Sequence, residues 1–221
     1  INPVNDNPVA QDGITGETNE GSAVSIELLA SDVDGDDLTY TVLSDASNGV
    51  VTISGAYATY DPENHFNGTD TFTFSVEDTA GGIDQADVII TVAEVNDAPE
   101  LDVLTGIQFD EDSSGSLILS ASDVDGDDLT YSITEGTDIT ASLSETTITF
   151  NAPLDYNGSE NFTITVSDGE LDDSQVVTVT INPVNDDPVA LAAFASTNED
   201  QNVVIALSGT DIDGDDLIFS L

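Results

Sequence analysis

The chain has 221 residues, no Lys or Arg, one His and 45 Asp plus Glu, for a formal charge of −45. A chain without Lys or Arg cannot displace the counterions of a phosphate backbone or settle on an anionic membrane surface, so nucleic acid and membrane contact by this segment are excluded. With no Cys it has neither a disulfide framework nor a thiolate metal site, yet 38% hydrophobic residues set it apart from the low-hydrophobicity chains that stay disordered.

Those hydrophobic residues alternate with polar ones between turn signals, the pattern of half-buried strands. In chain order the first stretch predicts about seven runs: near Val9, then 23–29, 38–43, 50–54, 57–60, 71–77 and 85–95. Their inward positions are Val24, Ile26 and Leu28; Leu38, Tyr40 and Val42; Phe72, Phe74 and Val76; Val88, Ile90 and Val92. Asn48-Gly49, Asn67-Gly68 and Gly81-Gly82 supply turns that tolerate positive φ. A second stretch repeats the order with Leu117 and Leu119, Leu129, Tyr131 and Ile133, Ile148 and Phe150, Phe162, Ile164 and Val166, and Val177, Val179 and Ile181. A third begins with Val203, Ile205 and Leu207 and reaches only Leu217 and Phe219. Two or three strands cannot close a sandwich, so residues beyond about Leu191 are expected to lack cover. No helical period stands out, and no stretch approaches the roughly 18 apolar residues of a membrane span.

The expected fold is all-β, a tandem of Ig-like Greek-key β-sandwich domains of about 100 residues each. The expected domains are 1–95, 96–184 and 185–221, the last a linker with the truncated start of a third repeat. The chain thus reads as a piece of a longer array, with targeting and anchoring signals elsewhere. Short Pro-containing linkers at 5–8, 96–99 and 185–188 leave little slack between neighbours.

One acidic phrase recurs at an interval of about 90 residues: Asp32-Val-Asp34-Gly-Asp-Asp-Leu38, Asp123-Val-Asp125-Gly-Asp-Asp-Leu129 and Asp211-Ile-Asp213-Gly-Asp-Asp-Leu217. Glu20, Glu111 and Glu199 each precede it by 12 residues, and Val-Asn-Asp-x-Pro recurs at Val4, Val95 and Val184. A period this long means one domain per repeat. Acids fixed within each repeat predict a hard-cation site, because Ca²⁺ takes several oxygens from separate segments. No EF-hand is present, since Gly35 stands fourth in the run where that loop needs Gly sixth. Outward strand positions are mostly Thr and Ser while acids crowd loops and linkers, although saline adaptation remains open as a second cause of the missing Lys and Arg.

These residues resemble the bacterial cadherin-like tandem repeats of large surface proteins and RTX-type adhesins. The cadherin linker DxNDN is similar to Asn5-Asp6-Asn7, Asn96-Asp97-Ala98 and Asn185-Asp186-Asp187, and its DxD pair to Asp32/Asp34, Asp123/Asp125 and Asp211/Asp213. The early cadherin Glu is similar to Glu20 and Glu111, and the acidic LDRE turn to Leu154-Asp155-Tyr156-Asn157. The late Asp is similar to Asp168, before Gly169, and more loosely to Asp78. The resemblance implies Ca²⁺ as cofactor, with all these Asp, Glu and Asn side chains as candidate ligands. At the second junction Glu111, Asp155, Asn157, Asn185, Asp186, Asp187, Asp211 and Asp213 offer eight oxygen-bearing groups, enough for about two ions of roughly 6–8 oxygens each when some bind bidentately or bridge. The first repeat departs from the second, with His65-Phe66-Asn67 where Asp155-Tyr156-Asn157 stands, so that its turn carboxylate is absent or comes from Asp61 or Glu63.

His65 has no partner in the other repeats and no second His or Cys in the chain, and reads as a loop residue without a transition-metal role. Asn67-Gly-Thr, Asn157-Gly-Ser and Asn161-Phe-Thr fit the glycosylation pattern, but Asn-Gly turns account for the first two. Paired carboxylates without Lys, Arg or a second His to orient them do not make a catalytic site. The expected role is a Ca²⁺-rigidified extender of an extracellular or bacterial cell-surface adhesin whose partners are neighbouring repeats of its own chain. The alternative is a recognition module that itself binds a cell-surface or matrix carbohydrate or protein, for which Tyr57, Phe66 and Tyr156 are the aromatics outside core register.

Overall fold

The computed structural model of the chain describes residues 4–220; the outermost limits of the first and third expected domains, residues 1 and 221, lie outside them. The chain divides into two compact units, Ile1–Asp97 and Ala98–Leu221. All regular structure among the described residues is β, and no helix is long and apolar enough to cross a membrane.

In the first unit the strands are β1 (Val9–Ala10), β2 (Ile14–Asn19), β3 (Val24–Glu27), β4 (Ala30–Ser31), β5 (Thr39–Ser44), β6 (Gly49–Ser54), β7 (Tyr57–Pro62), β8 (Gly68–Glu77) and β9 (Ile83–Ala93). They form a four-stranded sheet in the order β2-β9-β8-β5, a three-stranded sheet β3-β7-β6, and the small pair β1-β4. The inward faces supply the core, with Ile26, Leu28, Tyr60, Phe72, Phe74, Val76, Val88, Ile90 and Val92 all buried and Leu38, Tyr40 and Val42 packed against them. Tyr40 and Phe74 lie with ring centroids 6.1 Å apart.

The second unit repeats this with β10 (Glu100–Leu101), β11 (Ile107–Asp110), β12 (Ser114–Ile118), β13 (Ala121–Ser122), β14 (Thr130–Ile133), β15 (Thr140–Ser144), β16 (Thr147–Asn151), β17 (Gly158–Ser167) and β18 (Asp172–Asn182). Its sheets are ordered β11-β18-β17-β14 and β12-β16-β15, with the pair β10-β13, so each strand of the first sandwich has its counterpart. Phe150, Phe162, Ile164, Val166, Val177, Val179 and Ile181 form the buried core.

Several strands lie outside the expected runs, among them the two-residue β4 and β13. β2 and β11, which run parallel to β9 and β18, also fall outside them, being poor in apolar residues. Gly16 in β2 is there for fit: a Cβ on it would stand 2.5 Å from Ile26 Cδ1. The second unit moves the small residue across the gap, where a Cβ on Gly115 of β12 would stand 2.4 Å from the Phe109 ring of β11. The same space between the sheets is filled from opposite sides in the two units, as close packing demands.

Beyond the second sandwich, among the described residues, only β19 (Val189–Leu191) and β20 (Ser208–Thr210) pair. Val203, Ile205, Leu207 and Phe219 remain about half exposed and Phe194 almost fully so. An isolated two-stranded pair is marginal in water, so amides beyond Leu191 are expected to exchange rapidly while those of Leu129–Ile133 and Phe162–Val166 are protected. Hydrogen exchange on the whole chain checks this; protection of 192–220 equal to that of β17 would require a partner for those side chains.

Candidate metal centres

The recurring acidic phrase folds into the same loop each time. Gly35, Gly126 and Gly214 have φ of 80°, 82° and 80°, a left-handed conformation that Gly adopts without steric cost. The first Asp closes the loop through one oxygen. Asp32 Oδ1 accepts from the backbone N–H of Gly35 and Asp36 at 2.9 and 3.2 Å. Asp123 Oδ1 accepts from Asp125, Gly126 and Asp127, and Asp211 Oδ1 from Asp213 and Asp215. The other oxygen, Oδ2 of Asp32 and of Asp123, is buried and meets no hydrogen-bond donor. The second Asp grips a linker: Asp34 Oδ2 accepts from Asp6 N–H at 2.8 Å, and Asp213 Oδ2 from Asp186 N–H at 2.7 Å.

In the first unit Asp78 accepts from Ala80 and Gly82 N–H through Oδ1 and from Asn5 Nδ2 through Oδ2. The Asn5 bond leads the causes that hold its carboxyl below the usual range, outweighing the upward push of burial. A Cβ on Gly82 would stand 2.5 Å from Asp78 Oδ2 and 2.7 Å from Asn7 Oδ1, so two oxygens converge over a residue with no side chain. Linker residues Asn5, Asp6 and Asn7 are thereby brought to Asp34 and Asp78.

The second unit carries the denser cluster. Glu111 is 5% exposed, and its Oε1 accepts from Val184 N–H at 2.6 Å, which ties the end of the sandwich to the linker. Carboxylate oxygens of Glu111, Asp186 and Asp213 lie within 4.8 Å of one another, and so do those of Asp112, Asp155 and Asp186. Asp187 and Asp211 line a 370 Å³ cavity beside Asp155 and Asp186. Burial, then Asp112, Glu111 and Asp213, push the Asp155 carboxyl above its ordinary value. Burial and the charges of Asp155, Asp213, Asp112 and Glu111 do the same to Asp186. With no Lys or Arg in the chain, the repulsion has no internal remedy. A third group is Asp123, Asp125 and Asp127.

Eight of the candidate ligands, Glu20, Asp97, Glu111, Asp123, Asp125, Asp155, Asp186 and Asp213, stand in such groups. Asn185 turns its Nδ2 onto the Asp186 carbonyl at 3.0 Å and Asn96 likewise onto that of Asp97 at 3.3 Å. Asp168 spends Oδ1 on the N–H groups of Glu170 and Leu171, while Asn157 is exposed on its turn. Asp127, not among the candidate ligands, joins the Asp123/Asp125 group. Asp112 was missed altogether, because the first repeat has Gly21 at that position. In the first unit neither Asp61 nor Glu63 takes the place of Asp155. His65 does, in a cluster with Glu20 and Asp97. Of the three aromatics outside core register only Tyr57 is exposed, while Phe66 and Tyr156 pack against the two cores.

The donors fit a hard cation. They are oxygens of carboxylates and amides, and three of the carboxylate oxygens, Glu20 Oε2, Asp32 Oδ2 and Asp123 Oδ2, are buried without a donor, a costly condition that a bound cation relieves.

Comparison with known proteins supplies the lineage. The family profile described as bacterial Ig domain matches residues 5–91 and again 96–181. No curated protein matches the chain. Among solved structures, the extracellular cadherin domains 1–5 of protocadherin gamma B2 superpose with a TM-score of 0.63 at 19% identity over 95% of this chain and 47% of that one. Human CDH23 EC21-23 gives 0.63 at 20% over 94% and 80%, and human mucin-like protocadherin EC1-2 gives 0.51 at 20% over 80% and 98%. The chain thus spans about half the length of the protocadherin gamma B2 fragment, and the shared fold is the cadherin-like sandwich.

Proposed function

The chain belongs to the bacterial Ig domain family, as two tandem cadherin-like sandwiches, and on that premise we propose that it is a non-enzymatic extender of an extracellular or cell-surface adhesin, stiffened by Ca²⁺ at its interdomain junctions. The observation that carries this reading is the Glu111, Asp112, Asp155, Asp186 and Asp213 cluster. Its carboxylates come from one end of a sandwich, the linker that follows and the acidic loop beyond. An ion held by all three fixes the linker's course, which no single pair of side chains does. Extracellular Ca²⁺ modules bind at about 10⁻⁴–10⁻³ M, and that is the affinity expected here.

Small-angle scattering with Ca²⁺ and with chelator tests it. Ca²⁺ is expected to lengthen the maximum dimension and narrow its distribution, and identical profiles would sink the extender reading. Asp123→Asn combined with Asp125→Asn is expected to lose most of that response while circular dichroism stays unchanged, because neither side chain belongs to the buried core and Asn keeps the Oδ1 acceptor that closes the loop.

A further inference from the structure

We propose that Glu20, His65 and Asp97 of the first unit form a site for a borderline transition dication, Zn²⁺ being the type case. The proposal rests on reading these acidic clusters as cation sites and changes which cation one of them prefers. His65 occupies the turn position of Asp155: φ is 57° at His65 and 54° at Asp155, and the turn is closed by Phe66 N–H to Glu63 O in one unit and Tyr156 N–H to Pro153 O in the other. The backbone is the same and the donor atom has changed from oxygen to nitrogen. Gly21 stands where Asp112 does, so this unit has lost two carboxylates of the denser cluster and gained one imidazole.

The remaining groups are already gathered. His65 Nδ1 lies 2.8 Å from Asp97 Oδ2, and one ligand atom from each of Glu20, His65 and Asp97 lies within 4.8 Å of the other two. Glu20 is only 9% exposed. Its Oε1 accepts from Val95 N–H at 2.6 Å, whereas its Oε2 is buried with no donor. A buried carboxylate oxygen without a partner carries a desolvation cost, and here it belongs to a group with an imidazole. A cavity of about 320 Å³ lined by Glu20, Gly21, Asn64, His65, Val95 and Asp97 leaves room for water ligands. Imidazole nitrogen suits Zn²⁺, Ni²⁺ and Cu²⁺, while Ca²⁺ takes oxygen ligands. Two carboxylates and one imidazole with open positions therefore favour the transition dication.

The chain has a single His and no Cys, so any imidazole ligation reports on His65 alone. Zn²⁺ is titrated into the whole chain with Ca²⁺ in large excess, and the carbon-bound proton resonances of the imidazole are followed. One equivalent is expected to shift them to saturation. Glu20→Gln keeps the acceptor for Val95 N–H, and Asp97→Asn keeps the shape; each removes a proposed carboxylate ligand and is expected to weaken Zn²⁺ by at least the roughly 10–100-fold that loss of even an outer-shell partner costs. Calorimetry on His65→Asp, altered at a half-exposed side chain, is expected to lose the tight Zn²⁺ phase. Resonances that ignore Zn²⁺, a shift abolished by excess Ca²⁺, or titrations unchanged by Glu20→Gln and Asp97→Asn would each overturn the proposal. The extender reading fails separately, by scattering that ignores Ca²⁺, and such a failure leaves the Zn²⁺ titration interpretable because all three ligands lie within the first unit.

Discussion

Asp70→Ala is expected to destabilise the first sandwich by roughly 3–5 kcal/mol, on the scale of one buried charged acceptor leaving several donors unmet. Asp70 is 5% exposed and is a node between loop and sheet. It accepts from the N–H groups of Ser47, Asn48 and Thr71 and from the Tyr60 hydroxyl, at 2.7–3.1 Å. Burial pushes its carboxyl up, but the three N–H groups and the hydroxyl outweigh burial and hold it below the ordinary value. Burial first, and then Asp70, raise the Tyr60 hydroxyl, which stays protonated and donating. The sign of the pH dependence follows. A depressed carboxylate contributes stability in full above its unfolded value of about 3.9 and loses it as pH falls through the folded value. Denaturant melts of the whole chain should therefore show the gap between native and Asp70→Ala shrinking below about pH 4. Asp70→Asn, which turns an amide NH₂ toward these donors, should be nearly as damaging; a neutral Asn variant would show that size and not charge matters here.

The second unit builds the same node with other residues. Glu160 accepts from Thr137, Asp138 and Ile139 N–H; burial pushes its carboxyl up, but the three bonds together outweigh burial and hold it below the usual range. Glu is one methylene longer than Asp, and the extra length is absorbed beside Gly136, where Ala46 stands in the first unit. A Cβ on Gly136 would lie 2.0 Å from Ile139 O and 2.7 Å from Glu160 Oε2.

Recurrence decided what the sequence disclosed. The strand order, both cores and the acidic loops appear in each copy, so periodic alternation and fixed spacing exposed them. Asp112 and His65 have no counterpart of the same type in the other copy, and recurrence is silent about them even though each stands in a cation cluster. Asp70 and Glu160 were legible by a different signal that went unused: the alternation that turns Phe72 and Phe162 inward turns these two acids toward the same face, and an acid drawn out of water on a strand must find donors. Strands β2 and β11 had little signal to offer, since each contributes one or two apolar residues and takes its place from pairing with β9 and β18.

Adding Ca²⁺ at about a hundredfold excess over its dissociation constant is expected to stabilise the second unit by about 2.7 kcal/mol if the ion binds only the folded state, which for a domain of this size is a rise of roughly 10–20 °C in melting temperature. The size of the effect comes from the metal-free state as much as from the ion. Burial first, and then the mutual repulsion of Glu111, Asp112, Asp155, Asp186 and Asp213 with no Lys or Arg to answer it, raise the carboxyls of Asp155 and Asp186. Asp186 belongs to both carboxylate groups, so Asp186→Asn should remove most of the Ca²⁺-dependent rise, whereas Glu111→Gln touches only one group and should remove less. Asp172→Asn, an exposed acid on β18 outside every cluster, subtracts the same formal charge. Calorimetric melts of the three variants, with and without Ca²⁺ at matched ionic strength, separate coordination from bulk screening: coordination predicts a large loss for Asp186→Asn and almost none for Asp172→Asn. Equal losses in the two would mean that Ca²⁺ acts on this chain only as a counterion.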